Sequence, residues 1–165
     1  MLAEGKVDSV TGYSFSSYLN LVRLGVPEND ITTILMADHG LNLYGNAIIV
    51  NTDYAKANSD VVKSFLVAIG KGWKDAVANP SSAIESLVKR NPAADSKLEE
   101  RRFKLALSGN VMTDYVAKNG MGNIDYARFE KAINQLSETY NYKTTPNAKL
   151  YFTDAYLPKG GFKLK

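Results

Sequence analysis

Short apolar runs alternate with polar turns along the first fifty residues, a pattern that predicts strands more than long helices. Residues 6–11 mix polar and apolar positions, with Val7 and Val10 on either side of Asp8 and Ser9, and residues 31–36 and 47–50 are strand candidates bounded by turn formers. Between the first two segments, residues 14–24 have helical spacing, with Ser14 as the predicted N-cap. Strand, helix and strand form the unit of a parallel sheet, so the pattern predicts an α/β fold.

The apolar period changes to about 3.6 residues beyond residue 52, and the chain is predicted to be helix-rich from there. The strongest helix begins at residues 58–60 and ends at the Asn79-Pro80 pair, and a second follows up to Asn91-Pro92. Ser96-Lys97-Leu98-Glu99 has the form of a capping box for a third helix. A fourth covers residues 125–140, and the Pro- and Gly-containing residues after it are predicted to be irregular.

The opening residues predict that the chain begins within a fold. Met1-Leu2-Ala3-Glu4-Gly5 has the pattern of the last turn of a helix followed by a glycine in the left-handed conformation. Four residues cannot nucleate a helix alone, so we expect this turn to depend on other parts of a structure.

Composition and charge limit the classes of partner and site that the chain can have. The apolar fraction of 45% and the charged fraction of 22% are typical of a globular protein. The net charge is +3, and residues 143–165 hold five lysines and one acid, so the rest of the chain is nearly neutral. Because no basic face runs through the body, we expect no nucleic-acid partner. Cysteine is absent and His39 is the single histidine, which predicts no disulfide, no metal site and no cofactor.

Two predicted strand ends carry the residues best suited to a ligand. In a parallel sheet, ligands bind beyond the carboxyl ends of strands, near the N-terminus of the next helix. Gly12, Tyr13 and Ser14 follow the first strand and offer close approach, a stacking ring and a hydroxyl; Asp38 and His39 follow the second. The alternatives are structural: Ser14 as an N-cap, Asp38 as a turn former and His39 as an exposed imidazole.

Several segments resemble one family. Residues 2–12, Leu-Ala-Glu-Gly-Lys-Val-Asp-Ser-Val-Thr-Gly, are similar to a segment midway through type II periplasmic solute-binding proteins of the nitrate, sulfonate, taurine and thiamine-precursor class. The Tyr44-Gly45-Asn46 stretch, the helix of residues 58–78 and the late Tyr151-Phe152-Thr153-Asp154 also resemble this class. Ser59 stands where proline is usual in that helix.

The resemblance implies a fold, a partner and a set of contacts. It implies the C-terminal half of a type II binding protein, with residues 1–40 as the last portion of lobe 2 and residues 41–165 as the hinge crossing and the C-terminal portion of lobe 1. The implied function is that of the substrate-binding component of an ABC importer, periplasmic or extracellular, which delivers a small polar or anionic solute to a membrane permease. Lobe closure would occur near residues 41–47. The implied ligand contacts are Gly12, Tyr13, Ser14, Asp38, His39 and Tyr44, and Tyr44 has the alternative of a packing residue at the hinge.

Two other interpretations stay open. A pyrimidine synthase shares the fold and is an enzyme that uses histidine and a cysteine-rich iron site, for which this chain has one histidine and no cysteine. Alternatively, an isolated half could bind no solute and associate with itself or with the missing N-terminal half through exposed apolar faces. Our expectation is a solute-binding protein without enzymatic activity that forms a homo-oligomer.

Overall fold

A computed structural model of the protein describes residues 1–164. Its chain divides into two compact units. Unit 1 holds Met1–Leu35 and Asp75–Thr113, and unit 2 holds Met36–Lys74 and the chain from Asp114 onward. The α-helices, in chain order, are α1 (Leu19–Arg23), α2 (Thr52–Ala57), α3 (Ser59–Ala78), α4 (Pro80–Arg90), α5 (Ser96–Ala106), α6 (Asp114–Asn119) and α7 (Tyr126–Thr139).

Unit 1 is built around α4 and α5, which pack against each other. Helix α5 also packs against Ser14–Tyr18, a π-helical turn that leads directly into α1. Leu19 at the start of α1 is fully buried, and Ile84 of α4 is 7% exposed. These two side chains mark the apolar core of this unit, and the π-helical turn is therefore attached to it.

Unit 2 is held together by small and aromatic side chains. Helix α7 packs against the 3-10 turn Ala148–Leu150, and Ala132 and Ala148 are both buried. An antiparallel bridge joins Met121 to Phe162, with both backbone hydrogen bonds at 2.9 Å. The Phe162 ring lies so close to buried Gly70 of α3 that a Cβ atom on Gly70 would collide with it.

The helices predicted beyond residue 52 are confirmed, whereas the helix predicted over residues 14–24 is a π-helical turn, Ser14–Tyr18, followed by α1. Helix α3 extends from Ser59 to Ala78, α4 begins at Pro80, and α7 occupies all but the ends of the predicted range of residues 125–140. Gly5 has a φ of 66° at the end of the 3-10 turn Leu2–Glu4, as the opening pattern predicts. Helices α2 and α6 have only six residues each and were not predicted.

The predicted strands do not form. Residues 6–11 and 47–50 have no regular secondary structure, and residues 31–35 precede the 3-10 turn Met36–His39. A strand is stable only when a neighbour pairs with its backbone N–H and C=O groups, and the three segments form no ladder with one another or with any other described residue. The pattern of apolar residues therefore predicted a parallel α/β arrangement that these residues do not adopt. The assignment of residues 1–40 and 41–165 to two lobes stays a prediction.

Two predicted cap positions are also wrong. The N-cap of α5 is Asp95, whose side chain accepts a hydrogen bond from Leu98 N at 2.9 Å, so Ser96 is the first helical residue. Tyr13 occupies the position before Ser14–Tyr18, and no side chain caps this turn. In both cases the predicted cap lies one residue too late. In α5 a carboxylate, a better acceptor than a hydroxyl, occurs just before the serine.

Candidate functional site

The six predicted contact residues are divided between the two units. Gly12, Tyr13 and Ser14 belong to unit 1, whereas Asp38, His39 and Tyr44 belong to unit 2. All are solvent-exposed except Tyr44, which is half-buried. Each group is built by its own local contacts, described below.

In unit 1, Gly12 and Tyr13 form the entrance to the π-helical turn. The Tyr13 carbonyl oxygen accepts hydrogen bonds from Ser16 N at 2.9 Å and Ser17 N at 2.8 Å. A Cβ atom on Gly12 would collide with Ser17 Oγ, so a larger residue at position 12 would require the Ser17 side chain to rotate away. The Tyr13 ring stacks on the Phe15 ring with 5.1 Å between the ring centroids, and Tyr13 is 49% exposed.

The Ser14 hydroxyl is left free by this turn. Ser14 is the first residue of the turn, and its side chain makes no hydrogen bond to another described residue. Of the two roles considered for Ser14, the N-cap is thereby excluded. An exposed hydroxyl beside a stacked ring pair can hydrogen-bond a polar or anionic group.

An ion pair with α5 fixes the far end of the same turn. Arg101 donates two hydrogen bonds to the Glu28 carboxylate, from Nη1 at 2.9 Å and from Nη2 at 2.5 Å, and Tyr18 donates a third through its hydroxyl. The Arg101 guanidinium also lies over the Tyr18 ring, 5.7 Å from its centroid. Beside it, Arg102 Nη1 donates to the Phe15 carbonyl oxygen at 3.2 Å.

These bonds change the titration of the groups involved. The hydrogen bonds from Arg101 and then from Tyr18 lower the pKa of Glu28 to about 2. The bond to Glu28 in turn raises the pKa of Tyr18. At neutral pH the carboxylate is therefore charged and the phenol is protonated, the state in which all three hydrogen bonds form.

In unit 2, Asp38 and His39 lie in the 3-10 turn Met36–His39. Gly40 follows with a φ of 90°, a conformation that favours glycine. Neither the Asp38 nor the His39 side chain hydrogen-bonds to another described residue. Both polar groups are consequently available to solvent or to a ligand.

Tyr44 is the most firmly held of the six residues. Its hydroxyl oxygen accepts a hydrogen bond from Asp125 N at 2.7 Å, and its ring meets the edge of Phe129 at 6.2 Å. The Arg128 guanidinium lies over the ring at 4.2 Å from the centroid. Burial raises the pKa of the neighbouring Tyr115, and the charges of Tyr44 and Asp125 raise it further.

Sequence reasoning missed the residues that hold these candidate contacts. Arg101 and Arg102 lie on α5, and Arg128 lies on α7; each reaches a segment more than seventy residues earlier. In the sequence these arginines look like members of a solvated helix face. Their only local sign is a charge without an acidic residue three or four positions away. This holds for Arg101 but not for Arg128, which follows Asp125 by three residues, or for Arg102, which pairs with Glu99 at 3.0 Å.

Among residues 1–164, no three histidine, cysteine, aspartate or glutamate side chains come together in a way that could hold a metal ion. No helix in the same part of the chain combines the length and the apolar character that crossing a bilayer requires.

Comparison with known proteins finds that the chain is similar to a protein family and to a solute-binding protein. The family model of NMT1/THI5-like proteins matches residues 1–83, a range that includes all six candidate contacts. The chain is 24% identical over 162 residues to the riboflavin-binding protein RibY of Chloroflexus aurantiacus. This alignment covers 96% of the chain and 45% of RibY, so the chain spans less than half the length of that relative. No solved structure matches the chain.

Proposed function

The chain belongs to the NMT1/THI5-like family, and from this premise we propose that it captures a small polar or anionic solute for an importer. The observation that carries the proposal is the family match over residues 1–83, which spans both groups of candidate contacts. The similarity to a protein named for riboflavin binding supports a solute-binding role. In this proposal the protein has no enzymatic activity.

The local geometry supports a division of tasks among the contacts. Tyr13, stacked on Phe15, offers an aromatic face to a planar or apolar part of the solute. In unit 1, the Ser14 hydroxyl is a donor that could bind a polar or anionic group, and in unit 2 the exposed His39 imidazole is a donor of the same kind. We propose that Tyr44 supplies a further wall, because its ring is held from three sides by Asp125, Arg128 and Phe129.

The importer context is part of the same proposal. A periplasmic or extracellular binding protein would close its lobes on the solute near residues 41–47, and the solute would stabilise the closed state by binding it more tightly. The closed form would then deliver the solute to an ABC permease in the membrane. Family membership supports the solute-binding role, and the importer and the hinge near Tyr44 are carried over from the resemblance of the sequence segments to this class.

Calorimetric titration tests the binding proposal. The panel consists of riboflavin, a thiamine pyrimidine precursor, taurine, methanesulfonate and nitrate, and saturable binding of at least one member is expected. Tyr13→Ala should weaken that binding by about 1 to 3 kcal/mol through loss of the stacking face. Tyr151→Ala is the matched control, since Tyr151 is 68% exposed and lies outside the candidate site. This variant should bind the same panel member with unchanged affinity.

Three outcomes would contradict the proposal. Silence across the whole panel would favour the interpretation of a non-binding half. Equal losses in the Tyr13 and Tyr151 variants would remove Tyr13 from the site. Iron-dependent consumption of pyridoxal phosphate would favour the synthase interpretation over a carrier.

A further inference from the structure

The segment that carries Tyr44 is held by side chains of one helix. Four hydrogen bonds connect residues 40–44 to α7 and its N-cap. Each bond reaches a different residue of the segment. Arg128 donates from Nε to the Asn42 carbonyl oxygen at 3.1 Å and from Nη2 to the Leu43 carbonyl oxygen at 2.8 Å. Gln135 donates to the Gly40 carbonyl oxygen at 3.1 Å, and Asp125 N donates to the Tyr44 hydroxyl.

Arg128 makes three of the contacts that define where the Tyr44 ring lies. Its two hydrogen bonds fix the carbonyl groups of the two residues before Tyr44, and its guanidinium plane covers the ring at 4.2 Å. No acidic side chain of residues 1–164 forms an ion pair with it. The half-buried charge is therefore directed at backbone carbonyls and at a ring face.

This combination requires a guanidinium. Its planar fork can reach two successive carbonyl oxygens and stack on a ring at the same time, whereas a lysine ammonium is a point charge with no plane to stack. The N-terminus of α7 gives the arginine its place, because the Asp125 side chain accepts hydrogen bonds from Ala127 N and Arg128 N at 2.9 and 3.2 Å. The base of the arginine side chain thus starts from a capped, ordered turn.

We propose that Arg128 is a positioning residue that holds Tyr44 in the orientation from which Tyr44 contacts the solute. This inference rests on the proposed function, because it assigns Arg128 a role in solute binding that acts through Tyr44. Arg128 itself does not touch the solute in this scheme. Removal of the Arg128 side chain takes away two hydrogen bonds to the segment and uncovers the face of the Tyr44 ring on which the guanidinium lies.

The first arm of the test needs no solute. Hydrogen–deuterium exchange is measured on residues 40–46 in the unmodified protein and in the Arg128→Ala, Arg128→Lys and Lys131→Ala variants. Faster exchange is expected in Arg128→Ala and also in Arg128→Lys, because lysine keeps the charge but not the fork. Lys131 is an exposed cation of the same helix, so Lys131→Ala should exchange like the unmodified protein.

The second arm is a double-variant cycle on solute affinity, with the panel member that the unmodified protein binds. Arg128→Ala and Tyr44→Ala should each weaken binding by about tenfold, and the double variant should lose no more than the larger single loss, because both remove the same contact. A purely structural Arg128 would give a double loss equal to the product of the single ones. That result, or unchanged exchange in Arg128→Ala, would overturn the proposal.

The two arms separate this proposal from the proposed function. If no panel member binds, the solute-binding function fails, and the exchange arm alone decides whether Arg128 holds the Tyr44 segment. If a solute binds and Arg128→Ala leaves its affinity unchanged, the function stands and the positioning role is overturned. Arg128→Lys with the full affinity of the unmodified protein would likewise overturn it.

Discussion

The absence of a side chain at Gly70 decides how unit 2 packs. The Phe162 ring lies against the α3 backbone there, in space that a methyl group would need. Gly70→Ala should therefore lower the free energy of unfolding by about 1 to 2 kcal/mol, because the cost of overpacking exceeds the gain in helix propensity. Urea denaturation followed by circular dichroism measures the difference.

Gly72 provides the control two residues later. It lies in the same helix, and nothing within 4 Å would meet a Cβ atom there. Gly72→Ala should raise the free energy of unfolding by about 0.5 to 1 kcal/mol, because alanine has less conformational entropy than glycine in the unfolded chain. Stabilisation by both substitutions would show that Phe162 does not pack on α3 as described.

Glu28 gives unit 1 a dependence on pH. Its pKa is lowered to about 2 by the hydrogen bonds from Arg101 and Tyr18, against an ordinary value of 4.5. A carboxyl group whose pKa is lower in the folded state stabilises fully above the unfolded pKa. We expect this stabilisation to be lost progressively as the pH falls from about 4.5 to about 2, and thermal melting between pH 6 and pH 2.5 measures it.

Comparison of two glutamine variants isolates this contribution. Glu28→Gln cannot titrate, so its melting temperature should fall less steeply in acid than that of the unmodified protein. Glu4, which pairs with Lys6 on the surface with a side chain 59% exposed, supplies the control. Parallel curves for Glu28→Gln and Glu4→Gln would contradict the assigned role of Glu28.

At the residue scale, the sequence predicted the roles that depend on neighbouring residues but not those that depend on partners far along the chain. The glycine at position 5 and the cap function near residue 96 follow from a few neighbouring residues, and the cap prediction failed by only one position. The partners of Arg101 and Arg128 lie more than seventy residues away, so no local pattern could identify them. Tyr44 is an intermediate case: its type indicated a wall or a packing residue, while α7 determined how it is held.

At the scale of single elements, the start of α5 allows a direct test of capping. The Asp95 carboxylate accepts a hydrogen bond from Leu98 N at 2.9 Å, whereas Ser96 is already within the helix. Asp95→Ala should lower the free energy of unfolding by about 1 kcal/mol through loss of this bond. Chemical denaturation provides the measurement.

Ser96→Ala is the matched variant for that test. Removal of a hydroxyl at the first helical position should change stability by less than about 0.5 kcal/mol. A larger loss for Ser96→Ala than for Asp95→Ala would restore the capping box that the sequence predicted and contradict the cap seen in the structure.

Helices were easier to predict than strands because their hydrogen bonds are local. The four-residue apolar spacing of α3 and the Pro and Asn residues at its end fix an element whose backbone bonds all lie within itself. Residues 31–36 and 47–50 have strand-like composition, yet a strand needs a neighbour from elsewhere in the chain. The six-residue helices α2 and α6 are too short to show a periodic signal.

At the scale of the whole molecule, the protein exposes more surface than its mass predicts. The accessible area is 12180 Å² for 18.1 kDa. Two separate compact bodies of half this mass would together expose about 9,700 Å². Part of the excess is apolar: Ile49 is 91% exposed and Ile34 is 72% exposed. The area left open is at least that of a stable protein interface, about 1,600 Å².

Such a surface is expected to be covered by a second copy of the chain. Ile48, Ile49 and Val50 form an apolar run whose backbone takes part in no sheet, so apolar contact and strand pairing can both contribute to association. We predict a dimer or larger oligomer, with a mass by light scattering above 18.1 kDa at micromolar concentration. Ile49→Lys should shift the protein toward the monomer, since a charge in an apolar contact opposes burial. Thr32→Lys, which adds the same charge at an exposed polar position, should leave the mass unchanged. A monomer mass for the unmodified protein across the whole concentration series would show that these apolar side chains remain in water.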